Sequence, residues 1–289
     1  MVVVNDIDGL EGLKQLSAIP EIIDVADFER TCSKRDIKKA VFVDLGNLGN
    51  FKRWCIANRD FSKGYANSSM KADSWSGTAT WNTYEELLTE GDEEVMKKIK
   101  TDTQKEIAEL GKKYKEEIRG YKFDVVGDFF DIGLVLTGVP EAWLEPDVTP
   151  EEVVRVSINI NGAFSAGVNT KTIVKSASRI LSMVKILEDH GVEVCIKMVN
   201  ANYCVDEAYD MALTTLVNIK DYDEPINYKK VSALLTPAHH RRGVFKVIEC
   251  ATDGKVASGY GSPTPPKGLI ALDDKKAIDA LEQKLFKRS

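Results

Sequence analysis

The sequence predicts an α/β fold: a mostly parallel sheet with flanking helices, together with an N-terminal α+β region containing one long helix. Two observations carry this. The stretch from Val153 to Val199 reads strand, Gly/Asn loop, amphipathic helix, Gly191, strand. That is one βαβ unit, and such a crossover joins parallel strands. Upstream, Met96, Ile99, Thr103, Ile107, Leu110, Tyr114 and Ile118 recur at spacings of 3 and 4, the signature of a long helix over residues 93–120.

Along the chain, residues 1–31 are acidic, with helical turns expected near 11–16 and 21–28. Residues 40–45 read as a buried strand closed by Gly46, Asn47, Gly49 and Asn50. Residues 74–81 read as a short strand, and Thr83 as the cap of a helix over 84–89 that ends at Gly91. The seam from Met96 to Ile118 fits either a coiled-coil contact with a partner or a long helix laid across its own domain, and the second is the commoner arrangement. The Pro-containing run 140–150 is the best boundary. It separates an N-terminal region, 1–140, from 151–289, unless the two make one continuous domain. After the βαβ unit, 206–217 is helix or extended, 227–235 a short helix, and 244–250 strand or helix. A Gly/Pro-rich loop (252–267) leads to a short strand at 269–272, and Asp273 caps a last helix over 275–286.

The chain has 289 residues, 43% hydrophobic and 29% charged, with a net charge of −6. A core is easily built at this length. The acidic balance argues against a surface that attracts nucleic acid everywhere, but it leaves room for local basic patches. The cysteines, Cys32, Cys55, Cys195, Cys204 and Cys250, are odd in number and contain no Cys-x-x-Cys pair. Together with an N-terminus lacking a basic region and a long apolar run, this predicts a cytoplasmic protein with no signal peptide and no membrane span.

The loop 161–169 lies at the carboxyl end of the first βαβ strand, where open α/β sheets hold ligands. Gly162 and Gly167 match Gly-x-x-x-x-Gly, but Val168 and Asn169 stand where a phosphate loop needs Lys-Ser/Thr. No dinucleotide fingerprint is present. The three histidines, His190, His239 and His240, make no zinc pattern. Asp128 and Asp131 alone do not signal acid/base chemistry, and no nucleophile or metalloprotease motif occurs. The expectation is no cofactor, no metal and no enzyme.

Three basic features point to binding. Phe51, Lys52, Arg53, Trp54, Arg59, Phe61, Lys63 and Tyr65 interleave cations with rings, as a single-strand surface requires; the alternative is core aromatics with snorkelling cations. Lys171, Lys175 and Arg179 form a ridge at i, i+4 on the βαβ helix, and no acidic residue lies between Val153 and Leu187. The ridge either tracks phosphates or is the solvated back of the helix. The window Lys229–Ile248 holds Lys229, Lys230, Arg241, Arg242 and Lys246 without an acid. Its adjacent arginines suit phosphate forks unless acids elsewhere take them.

Two resemblances follow from these residues. The strand and loop of the βαβ unit resemble a Rossmann-like, von Willebrand A-like domain. There an Asp-x-Ser-x-Ser motif holds a divalent ion; here the positions read Asn159, Asn161 and Ala163, a degenerate version. Ser74 to Thr78, the segment Asp128 to Pro140, Arg179, Leu187-Glu188, Gly191 to Glu193, Arg241 to Phe245 and Gly259 to Pro263 together resemble a family of uncharacterised proteins carried by bacteriophages and mobile elements, over about residues 74 to 285. In podoviruses that use a small heterodimeric RNA polymerase, the resemblance implies an accessory protein of transcription or replication binding single-stranded DNA. Lys52, Arg53, Trp54, Arg59, Phe61, Lys63, Lys171, Lys175, Arg179, Arg241 and Arg242 would then form the interface. The alternative is a von Willebrand A-like interaction module acting on a phage or host RNA polymerase.

Overall fold

The computed structural model describes residues 2–8, 30, 39–61, 68–71, 76–114, 154–164, 167–206, 209–254, 260 and 269–286. Six strands make one sheet: β1 (Val2–Asp8), β2 (Lys39–Asn47), β3 (Arg155–Asn161), β4 (Glu193–Asp206), β5 (Tyr209–Lys220) and β6 (Ile270–Ala271). Their order is β1-β2-β5-β4-β3-β6. The sheet is mixed. β3 runs parallel to β4 and β6, and β2 parallel to β5, whereas β1–β2 and β4–β5 are antiparallel. The expected βαβ unit is therefore present, and the stretch left open between helix and extended is the second arm of a long hairpin. β1 has no counterpart in the sequence reading, which saw only acidity there.

Seven α-helices accompany the sheet among the described residues: α1 (Leu48–Ala57), α2 (Trp81–Glu90), α3 (Glu93–Lys113), α4 (Thr170–Glu188), α5 (Tyr228–Leu234), α6 (Phe245–Ala251) and α7 (Lys275–Phe286). A π-helix, His239–Val244, runs straight into α6. Several termini are set by local side chains. Asn47 accepts from Asn50 N–H at the start of α1, and Asn227 accepts from Lys229 and Lys230 N–H at the start of α5. Two caps sit elsewhere than the sequence suggested. Thr80, rather than Thr83, accepts at the start of α2, so Trp81 opens a helix instead of closing a strand. Asp274, rather than Asp273, accepts from Lys276 and Ala277 N–H ahead of α7.

One apolar cluster holds the helices to the sheet. Val43 and Leu45 of β2, Leu213 and Val217 of β5, Val194, Ile196 and Met198 of β4, and Ile158 and Ile160 of β3 meet buried residues from every one of the seven helices. Elements on both sides of the Pro140–Pro150 run thus share one sheet and one core. In α4 the predicted stripe Ile173, Ala177, Ile180, Val184 and Leu187 is buried throughout. The α3 seam lies against α4. Ile99, Thr103 and Leu110 are buried there, and Thr103 donates to the Ser178 carbonyl at 3.4 Å. The expected continuation of that helix to residue 120 falls outside the described residues.

The last helix is docked by a charge cluster. Glu282 of α7, only 2% exposed, accepts from the Tyr114 hydroxyl at 2.8 Å and from Arg179 Nε at 3.1 Å, and it also pairs with Lys113. Burial alone would raise the Glu282 carboxyl, but the hydrogen bonds from Lys113, Arg179 and Tyr114 outweigh it and hold the group below the ordinary carboxylate range. Replacing Glu282 with Gln is expected to lower stability by about 2 kcal/mol at neutral pH, because Lys113, Tyr114 and Arg179 lose a charged acceptor although Arg179 stays paired with Asp279. The contribution of a depressed carboxyl is present above the unfolded value of about 4.3 and is lost as pH falls through the folded value. Urea titrations at pH 7 and in steps below pH 5 should therefore show a steeper acid loss for the wild type than for Glu282→Gln.

Candidate functional site

The carboxyl end of β3 was the first place to seek a ligand, and it is closed on itself. Asn161, buried at the end of the strand, donates to the Ala163 carbonyl at 2.8 Å and accepts from the Ala163 N–H at 3.3 Å. Such a turn uses up the amide locally. Asn159 accepts from the Ser157 hydroxyl at 3.4 Å. Gly162 N–H donates to the Val199 carbonyl at 3.0 Å, and a Cβ on Gly162 would lie 2.6 Å from Asn200 Oδ1 and from Met198 Sδ. Across this loop lies the π-helix: the His240 ring is 5.5 Å from Phe164 and the His239 ring 4.9 Å from Phe51. Burial lowers both imidazoles to about 3, so both are neutral. Among the described residues, no group of three or more His, Cys, Asp or Glu is placed to hold a metal ion.

The three basic features divide sharply between surface and interior. In the first, the stretch is α1, and helical period sorts its side chains: Leu48, Phe51 and Cys55 are buried, while Lys52 and Arg53 face outward. Trp54 is half-buried and packs on the core. Phe61 is half-buried, and its carbonyl accepts from Lys246 Nζ at 3.1 Å. Lys52 donates to the Thr89 hydroxyl and Arg53 to Asn50. Arg59 pairs with Glu85 at 3.5 Å and also donates to Asn82. Lys63, Tyr65 and Trp75 lie outside the described residues. Within α1, Phe51 thus points inward and Arg53 outward, while Lys52 and Trp54, and beyond the helix Arg59 and Phe61, are all half-buried.

The second feature loses a member. Lys171 and Lys175 are exposed on α4, but Arg179 is clamped between Asp279, at 2.6 Å, and Glu282 of α7. It anchors a helix and is no part of an open ridge. Beside it, a cavity of about 480 Å³ opens between α3, α4 and α7, lined by Glu106, Lys175, Arg179, Asp279 and Glu282 among others. Burial first, then the neighbouring Glu109, raises the Glu106 carboxyl there.

The third feature is corrected most. Its cations take acids from elsewhere: Lys229 pairs with Glu90 at 2.9 Å, Lys230 with Glu224 at 2.8 Å and Lys246 with Glu249 at 3.0 Å. Arg241 is buried at 7% exposure, and Arg242 is wholly buried. Arg242 donates from Nε to the Thr78 hydroxyl at 2.5 Å, from Nη1 to the Ser69 carbonyl at 2.7 Å, and from Nη2 to the carbonyls of Thr78 at 2.6 Å and Lys71 at 3.1 Å. Neither arginine is offered to a phosphate at the surface. Sequence reasoning missed the network that Arg242 belongs to. Glu249 there accepts from Ser69 N–H at 3.1 Å, Ser69 Oγ at 2.6 Å and Tyr260 Oη at 2.6 Å. The one signal available was Gly243 beside the arginines: a Cβ there would meet Tyr84 Oη at 2.2 Å and Phe51 Cζ at 2.4 Å.

One family model, described as a domain of unknown function (DUF7192), matches residues 19–284. The chain belongs to this family. No curated protein and no solved structure matches the chain. The DUF7192 match spans α1, α4 and the π-helix alike, so the exposed α1 and α4 cations and the buried Arg242 network all lie within the family domain. Among the described residues, no helix is long and apolar enough to cross a membrane.

The buried geometry predicts how Arg242→Lys will behave. A lysine cannot reproduce a fork that reaches two separate chain segments through four acceptors. Stability is expected to fall by roughly 3 kcal/mol, seen as a lower melting temperature in calorimetry. A phosphate-binding arginine would leave the melting temperature unchanged and weaken nucleic-acid binding instead.

Proposed function

We propose that this chain is a binding protein rather than a catalyst, and that its ligand is single-stranded nucleic acid gripped through phosphates. The observation that carries this is the set Lys52 and Arg53 on α1 and Lys171 and Lys175 on α4. All four sit on helix surfaces, and none pairs with a carboxylate among the described residues. In a chain of net charge −6, Arg59, Arg179, Lys229 and Lys230 are neutralised by acids, so a polyanion would meet these four together with other exposed lysines such as Lys97, Lys100 and Lys275. The contact is electrostatic rather than stacked, since the nearby rings serve the core. The strand order β5-β4-β3-β6, with α4 crossing between β3 and β4 and β5 antiparallel after β4, supports a relation to von Willebrand A-like domains. The motif resemblances support a phage setting, in which the strand would be exposed template DNA.

Fluorescence-anisotropy titration of a labelled single-stranded oligonucleotide tests the reading. Binding should weaken steeply with salt, by a log–log slope of roughly −0.7 per phosphate contacted. Lys52→Ala with Arg53→Ala, and Lys171→Ala with Lys175→Ala, should each flatten the slope by roughly 1.4. No binding at low salt, or binding indifferent to salt, overturns the proposal.

A second reading rests on a separate observation. Ile56 is 48% exposed in a surface cleft between α1 and α2, lined also by Lys52, Arg59, Glu85, Glu86 and Glu90. An apolar side chain ringed by mixed charge suits a protein partner such as a phage or host polymerase better than a polyanion. A partner pulled down from infected cells that survives nuclease, and is lost with Ile56→Asp, supports this reading; a partner that nuclease releases counts against it.

A further inference from the structure

The helix-covered face of the sheet carries a patch that apolar packing does not explain. Along β4 that face runs Val194, Ile196 and Met198, all in the core cluster, and then continues at period two with Asn200 and Asn202. Thr215 of β5 is the direct antiparallel partner of Asn200, so the two side chains are neighbours on one face. Asn200 and Thr215 are 0% exposed and Asn202 2%. Asn200 Oδ1, Asn202 Nδ2 and Thr215 Oγ1 all lack a hydrogen-bond partner among the described residues. His239 of the π-helix reaches Asn200. Its Nε2 is 3.5 Å from Asn200 Nδ2, a long contact, and its Nδ1 is also unpartnered. The Phe51 ring closes one side of His239.

Buried polar groups are almost always satisfied. Leaving four adjacent ones bare would offset much of the net stability of an ordinary domain. The geometry points to an internal binding site for a small neutral hydroxylic molecule, held by Asn200, Asn202 and Thr215 of the sheet beneath His239 of the π-helix. The class follows from the lining. Asn202 offers a donor, Asn200 an acceptor, and Thr215 either. Only a molecule that gives and takes hydrogen bonds at once satisfies all three; an anion would strand the Asn200 carbonyl and a cation the Asn202 amide. The lining is uncharged, since burial keeps His239 neutral. Gly162 packs closely against Asn200 and Met198, since a Cβ there would lie 2.6 Å from Asn200 Oδ1, so a side chain at 162 would displace the Asn200 amide. A π-helix, an uncommon element that tends to mark functional positions, supplies the roof. Water and a small polyol share the required chemistry. This inference is independent of the nucleic-acid reading.

The test uses the full chain, crystallised without glycerol or other polyols, alongside native mass spectrometry and urea unfolding of Thr215→Val. The expected result is density within hydrogen-bond distance of both Thr215 Oγ1 and Asn200 Oδ1. The near-isosteric Thr215→Val should lower the folding equilibrium constant roughly fivefold, the loss of one net hydrogen bond. Density of single-atom peaks with no added mass assigns water. Larger density with an adduct released on denaturation assigns a retained polyol. An empty site overturns the inference, and so does Thr215→Val unfolding at higher urea than the wild type, because removing an unsatisfied hydroxyl stabilises only a dry site.

Discussion

The fully buried guanidinium of Arg242 is the constraint on which one end of this molecule depends. It ties the π-helix to Thr78, just ahead of α2, and to Ser69 and Lys71 around a short 3-10 turn. A cation removed from water is tolerated only when its donors are nearly all engaged, so these segments must hold their places for the charge to stay satisfied. Ser69 is shared with the second half of the network. Its carbonyl accepts from Arg242, while its N–H and hydroxyl both donate to Glu249. Lys246 and Tyr260 complete the solvation of that carboxylate. Gly243, next along the chain, then lets Phe51 of α1 and Tyr84 of α2 pack directly on the π-helix backbone. Remote parts of the sequence are thereby joined through a few atoms.

This explains why the sequence was legible in some places and misleading in others. Periodicity is a local property and was read correctly where one face meets one neighbour. The α4 stripe, the βαβ crossover and the short helix near 227–235 all follow from residues close together in the chain. Charge asymmetry is different. The window Lys229–Ile248 contains no acid, yet its partners Glu90 and Glu224 lie outside it and Glu249 one residue beyond it. Lys171, Lys175 and Arg179 are equivalent by spacing, but α7, a hundred residues away, covers only the last of them. Alternating rings and cations along residues 51–54 suggest one surface only while the stretch is read as a linear patch. Once it is a helix, the same alternation separates inside from outside.

The top of the sheet shows the same separation in chemical terms. At the top of the sheet this chain has amides, a glycine, an alanine and neutral imidazoles, all buried. Charge at that position would be hard to sustain under a roof of Phe51, Phe164 and Phe245. Its buried charges lie in the Arg242–Glu249 network and at Glu282 and Lys220, each paired or hydrogen-bonded, while Arg53, Lys171 and Lys175 stand exposed on helix surfaces. A closed, neutral sheet end combined with open, charged helix faces is the layout of a scaffold that presents surfaces. The amides and hydroxyl of Asn200, Asn202 and Thr215 belong to the interior of that sheet end, whereas Arg53 of α1 and Lys171 and Lys175 of α4 stand exposed on helix surfaces.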